Sequence, residues 1–167
     1  MTIETTRAAI NGPVDGIFGQ SGSAIVEFAL LAPVLLLVML GTAQFGITLN
    51  QYVMLWNGVG AAATQFAISG GTSSTPASSA WTAITSAAPI LTTKNLEMTL
   101  TVNGTNCVTS VSSTPTGTQD TACSSALAAN PGNPAVVLAT YPCSLTVMQY
   151  DFFPKCKLTA QITELVE

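Results

Sequence analysis

Four cysteines, Cys107, Cys123, Cys143 and Cys156, are the residues of this 167-residue chain best suited to covalent chemistry. None forms a CxxC pair, which sets aside a zinc knuckle and a thioredoxin-like dithiol. The chain holds no histidine. A Ser-His-Asp or Cys-His centre and any His-ligated metal are therefore excluded. The carboxylates Glu97, Asp120, Asp151, Glu164 and Glu167 are scattered along the sequence and are expected on solvated faces rather than as an acid/base pair. Lys155 and Lys157 flank Cys156 and would lower the pKa of a free thiol there, but a disulfide is the stronger reading. Asn103-Gly-Thr105 is a formal glycosylation sequon. No recognised phosphate-binding glycine loop occurs. These residues predict no enzyme, no metal and no cofactor.

The elements that must carry the cysteines are framed by an unusual charge distribution. The chain has 4 Lys+Arg and 8 Asp+Glu, a formal charge of −4, and only 7% charged residues. A soluble protein usually has about a quarter. Four cations cannot form a basic face, so nucleic acid is not an expected partner. Mean hydropathy is +0.49. No charged residue falls between Glu27 and Lys94, and Phe28 to Leu49 is a nearly continuous apolar run of 22 residues. As a helix that run rises about 33 Å, enough to cross a hydrocarbon core of about 30 Å. The expected organisation is a leader or cytoplasmic tail over 1–22, a transmembrane helix with an amphipathic extension over 23–69, and an exported head over 70–167.

Glu27 stands near the start of the apolar run, where an unpaired carboxylate costs about 2.5–3.5 kcal/mol on insertion scales. Either it meets a partner or it lies solvated at the headgroup boundary. Three processing readings compete. Gly41-Thr42-Ala43 imitates a signal-peptidase site, but the apolar run is too long and continues through Phe45, Ile47 and Leu49. An uncleaved anchor is the second reading. The third is cleavage between Gly22 and Ser23, which makes Glu27 the fifth residue of a new N-terminus. Pro33 removes a helix hydrogen bond and should bend or locally open the helix near Ala29, and Gly41, Gly46, Gly58 and Gly60 offer small faces for close helix approach.

The run from Gly22 through Glu27-Phe28-Ala29-Leu30, Pro33, the Leu/Val stretch, Gly41 and Phe45-Gly46 resembles the N-terminal signature of the TadE-like proteins, minor pseudopilins of tight-adherence pilus systems. The likeness extends more loosely through Asn57 to Ala63. Gln44 stands where many members carry an acid, and Phe18-Gly-Gln-Ser21 lacks the basic residue usual before the glycine. The resemblance implies a prepilin peptidase substrate cut after Gly22. Glu27 would then pair with the α-ammonium of Ser23 on a neighbouring pilin. Implied partners are other pilins or pseudopilins, the inner-membrane assembly platform, the peptidase and membrane lipid. The implied location is the bacterial inner membrane, single pass, with a periplasmic head. An uncleaved membrane-anchored binding or scaffold module is the alternative.

Beyond the anchor, helical spacing continues from Asn50 to Ile68, with Tyr52 and Trp56 as an interfacial aromatic pair. Ser69-Gly70-Gly71 ends it. A second helix is expected over 80–88, capped by Ser78 or Ser79 and stopped by Pro89. Leu96, Met98, Leu100 and Val102 alternate with polar residues as a half-buried strand. Asn103-Gly104 marks a hairpin, with Cys107 to Val111 returning. Residues 112–133 form a long Ser/Thr/Gly/Pro loop, 134–141 a buried strand, 145–150 its continuation or repeat, and 157–165 a weaker closing segment. The fold class is α+β. Once export is argued, four cysteines imply disulfides, with three possible connectivities. Cys107–Cys123 and Cys143–Cys156 are favoured because each closes a local loop, worth about 3 kcal/mol at about 15 residues in the chain-entropy model.

Overall fold

A computed structural model describes residues 19–70, 72–143, 146–147, 150–151 and 153–167. The proposed leader through residue 18, and parts of the expected 145–150 strand, lie outside the described residues. The order of elements is helix α1 (Gly19–Ile68), helix α2 (Pro76–Ala87), a short 3-10 turn (Thr93–Asn95), strands β1 (Glu97–Val102) and β2 (Thr105–Val111), helix α3 (Gly117–Ala129), and strands β3 (Pro134–Pro142), β4 (Thr146–Val147), β5 (Tyr150–Asp151) and β6 (Lys157–Leu165). The class is α+β. Contacts divide the chain into two compact units, Met1–Gly41 and Thr42–Glu167.

In the first unit the described residues are helical from Gly19, and the helix runs unbroken through Pro33. Its apolar side chains are turned outward on all sides: Ile25, Phe28, Leu30, Leu35, Leu37 and Met39 are each more than half exposed. Among the described residues one helix, Gly22–Ile68, is long and apolar enough to cross a membrane.

In the second unit, the end of α1 buries Leu55, Val59, Ala62, Ala63, Phe66 and Ala67. Steps of three and four place these on one face. That stripe joins Ala77, Ala80, Trp81 and Ile84 of α2, Cys123 and Leu127 of α3, and the inner face of a four-stranded antiparallel sheet in the order β2-β1-β3-β6. The alternation read in β1 is present, with Met98, Leu100 and Val102 buried. β3 repeats it with Ala135, Val137, Ala139 and Tyr141. Asn103 and Gly104 both have positive φ, 47° and 78°, and link Val102 to its partner Thr105 in the two-residue turn that such a link favours. The closing segment is a full strand: β6 pairs with β3 over nine residues without a register shift. β4 and β5 pair only with each other.

Two expectations are corrected. Residues 112–133 are not one loop, since α3 occupies Gly117–Ala129. Its first turn is secured when the Thr116 N–H donates to Gln119 Oε1 at 2.8 Å. Its only fully buried apolar side chains are Cys123 and Leu127, so the sequence shows too few periodic apolar residues to announce a helix. α2 starts at Pro76, not after Ser78 or Ser79, with Pro at its first position and Thr75 preceding it. Proline fits that position because its missing N–H has no intrahelical partner there.

Candidate functional site

Pilin-like function was placed by sequence on Gly22, Ser23, Glu27, Pro33, Gly41 and Gly46, and all six lie on α1. Ser23 and Glu27 are one turn apart on one face, and the Ser23 hydroxyl donates to Glu27 Oε1 at 3.3 Å. Both are exposed. Among the described residues, and apart from the chain neighbours and the helix's own backbone, nothing lies within 4 Å of where a Cβ would stand on Gly22, Gly41 or Gly46. Gly58 differs, because a Cβ there would meet Ile84 Cγ1 at 3.0 Å, the Ile84 carbonyl oxygen at 3.2 Å and Ala88 Cβ at 3.3 Å. The small-residue face at Gly58 thus seats α2 inside the head.

The cysteines are joined in two pairs. Cys107 of β2 bonds Cys123 of α3, with Cα atoms 5.0 Å apart. This bond ties α3 to the edge strand of the sheet. Cys143 bonds Cys156, Cα atoms 5.1 Å apart, and closes the loop between β3 and β6. No free cysteine occurs.

Asp120 is not on a solvated face. It is 3% exposed, and its carboxylate accepts the Ser78 N–H at 2.8 Å and the Ser78 hydroxyl at 2.5 Å. Ser78 is the third residue of α2, so its N–H is one of the donors a helix start leaves unpaired. A carboxylate there is also favoured by the helix dipole. Sequence reading missed this contact because it links residues 42 apart; the one local cue was Pro76 at a helix start without a strong side-chain cap.

Among the described residues no group of three His, Cys, Asp or Glu could hold a metal. A groove of about 470 Å³ beside α2 is lined by Gln65, Thr75, Ser78, Ser79, Thr82 and Ser86 and carries no titratable group. A hollow of about 230 Å³ brings Lys94 and Lys157 near Glu97 and Thr140. The Thr140 hydroxyl donates to Glu97 Oε2 at 3.2 Å.

The outward face of α1 is the distinctive surface, and comparison with known families falls on it. A family model described as TadE-like protein matches residues 22–64. Residues 22–64 are similar to that family. No curated protein and no solved structure matches the chain. The TadE-like segment begins at Gly22 and includes Glu27, Pro33, Gly41 and Gly46. The segment also runs past the apolar stretch into the head, to within the buried stripe that ends α1.

Proposed function

We propose that this protein is a minor pseudopilin that assists assembly or priming of a tight-adherence pilus. It is held in the bacterial inner membrane by α1, with the head in the periplasm. The observation that carries this reading is the TadE-like match, which starts at Gly22 and takes in the whole apolar run. Prepilin peptidase cuts between Gly22 and Ser23, and the new α-ammonium of Ser23 becomes available to a carboxylate. Within one chain Glu27 lies about 6 Å along the helix from Ser23 at 1.5 Å per residue. Across two chains the Glu27 of one subunit meets the Ser23 ammonium of the next. Each charge alone in hydrocarbon is costly, so pairing favours one axial register between subunits. The outward apolar side chains, and the open flanks of Gly41 and Gly46, support close packing of α1 against lipid or neighbouring pilin helices. The exposure of Glu27 leaves its carboxylate accessible to such a partner.

The test is assembly. Glu27→Ala and Glu27→Gln are each expressed in place of the parent, and surface pili are counted by electron microscopy. Both variants should accumulate in the membrane at parental levels while pili fall at least tenfold. Parental pilus numbers with either variant would remove the pairing role from Glu27.

A further inference from the structure

The second unit is electrically and chemically uneven along its own stretch of α1, residues 42–68. Two close approaches set the direction of β6. A Cβ on Gly60 would lie 3.5 Å from Ile162 Cδ1, and one on Gly70 would lie 3.2 Å from Val166 Cγ1. β6 therefore runs alongside α1 in the same direction. Lys157, five residues before Ile162, lies about 16 Å back along the strand at about 3.3 Å per residue. The same distance along α1 leads back from Gly60 to about Leu49, where the apolar run ends. α2 runs the opposite way. Its first turns share a groove with Gln65, and its end meets Gly58 through Ile84 and Ala88. The turn that follows, closed by the Leu91 N–H to the Ala88 carbonyl at 3.1 Å, is thereby delivered to the level of Tyr52 and Trp56. Those two rings stack with centroids 6.3 Å apart and remain 40% and 44% exposed, as an interfacial pair would.

Two kinds of side chain gather at this end. Leu91 is buried, but Ile90 at the tip of the turn is 57% exposed. Turn tips ordinarily take Gly, Asn or Asp. Phe153, just before β6 in the loop closed by Cys143–Cys156, is 61% exposed. The three cations of residues 70–167 are Lys94, Lys155 and Lys157, and all belong here. Lys94 lies just before β1, whose Glu97 pairs with Thr140, and Lys157 pairs with Pro142 at the same end of the sheet. Glu97 belongs to this end as well. Glu164 lies near the far end of β6, and Glu167 follows it, its N–H donating to the Ala67 carbonyl.

We propose that this end of the head docks on an anionic lipid surface. Ile90 and Phe153 enter the boundary between headgroups and acyl chains, and Lys94, Lys155 and Lys157 meet the headgroups. The inference rests on the reading of α1 as a membrane anchor. Docking gives the head a second point of attachment and fixes its rotation about α1 before a fibre extracts it.

Nitroxide accessibility in the full chain separates the two ideas. All four cysteines are in disulfides, so the label is attached to a ketone-bearing amino acid placed singly at position 37, 90, 105 or 153. The protein is reconstituted in vesicles of mixed phosphatidylcholine and phosphatidylglycerol. Position 37 should favour collision with oxygen over a water-soluble nickel chelate and report full depth. Positions 90 and 153 should favour oxygen several-fold more than position 105, in the turn beyond β1. Replacing Lys94 and Lys157 together by Gln should move position 90 toward the value at 105, with thermal melting of the head unchanged. Depth at 37 with water-like values at 90 and 153 would overturn docking while leaving the anchor intact. Water-like values at 37 as well would overturn both. An unchanged value at 90 in the Lys94→Gln, Lys157→Gln variant would overturn the anionic-lipid assignment.

Discussion

The two halves of α1 use similar residues for opposite ends. Before Gly41 its leucines, valines and phenylalanine face outward, with Leu36 55% exposed. At Leu55, Val59 and Phe66 the same kinds of residue are buried, and Phe66 is fully enclosed. The glycines divide in the same way: Gly41 and Gly46 stand in open space, whereas Gly58 is pressed against α2. Burial of apolar surface inside the chain stabilises the fold, while apolar surface left outside must be covered by lipid or another subunit. One continuous helix is thus a core element at one end and exposes its apolar side chains at the other.

The sharpest way to break that comparison is to truncate one side chain in each half. Phe66→Ala should lower the stability of the head by about 3–5 kcal/mol, from lost burial and a residual cavity. Leu36→Ala should change it by less than about 0.5 kcal/mol. Urea unfolding of the full chain in detergent, followed by near-ultraviolet circular dichroism, measures both, and similar losses would erase the distinction. The next effect sharpens it by removing a feature confined to the head. Replacing Cys107 and Cys123 together by Ser opens a bond spanning 16 positions. The chain-entropy model gives a loss of about 3 kcal/mol. Insertion of α1 into membranes, followed by carbonate extraction, should be unaffected. The smallest effect compares the glycines. Gly46→Ala gains helix propensity, whereas Gly58→Ala drives a methyl against the Ile84 carbonyl and side chain. The two variants should differ in head stability by about 1–3 kcal/mol, with Gly58→Ala the weaker. Equal midpoints in the same urea experiment would mean that α2 yields freely at Gly58.

Legibility in the sequence followed the range of the interactions. The apolar run from Phe28, the two-residue alternation of β1 and the Asn103-Gly104 turn are local patterns, and the structure carries each of them. α3 was not legible, because a helix that buries little more than Cys123 and Leu127 leaves no apolar period to read. β6 looked weak because its outward positions, Thr159, Gln161 and Thr163, are polar and its inward ones include small Ala160. Asp120 was misplaced on the surface because its partner Ser78 belongs to another helix, and no short window contains both residues. Gly22, Ser23 and Glu27 lie together on α1, and their spacing along one helix is what proposes a processing and pairing role for them. Ile90 and Phe153 gave no such signal, because their significance depends on which end of the sheet they occupy.

The pilin reading depends most directly on where the mature chain begins. Membranes and pili from cells expressing the untagged protein should be resolved, and the N-terminus of the isolated band determined by Edman degradation and intact mass. The account predicts Ser23 as the first residue, four positions before Glu27. A chain that begins at Met1 or Thr2 in cells building normal pili would contradict it.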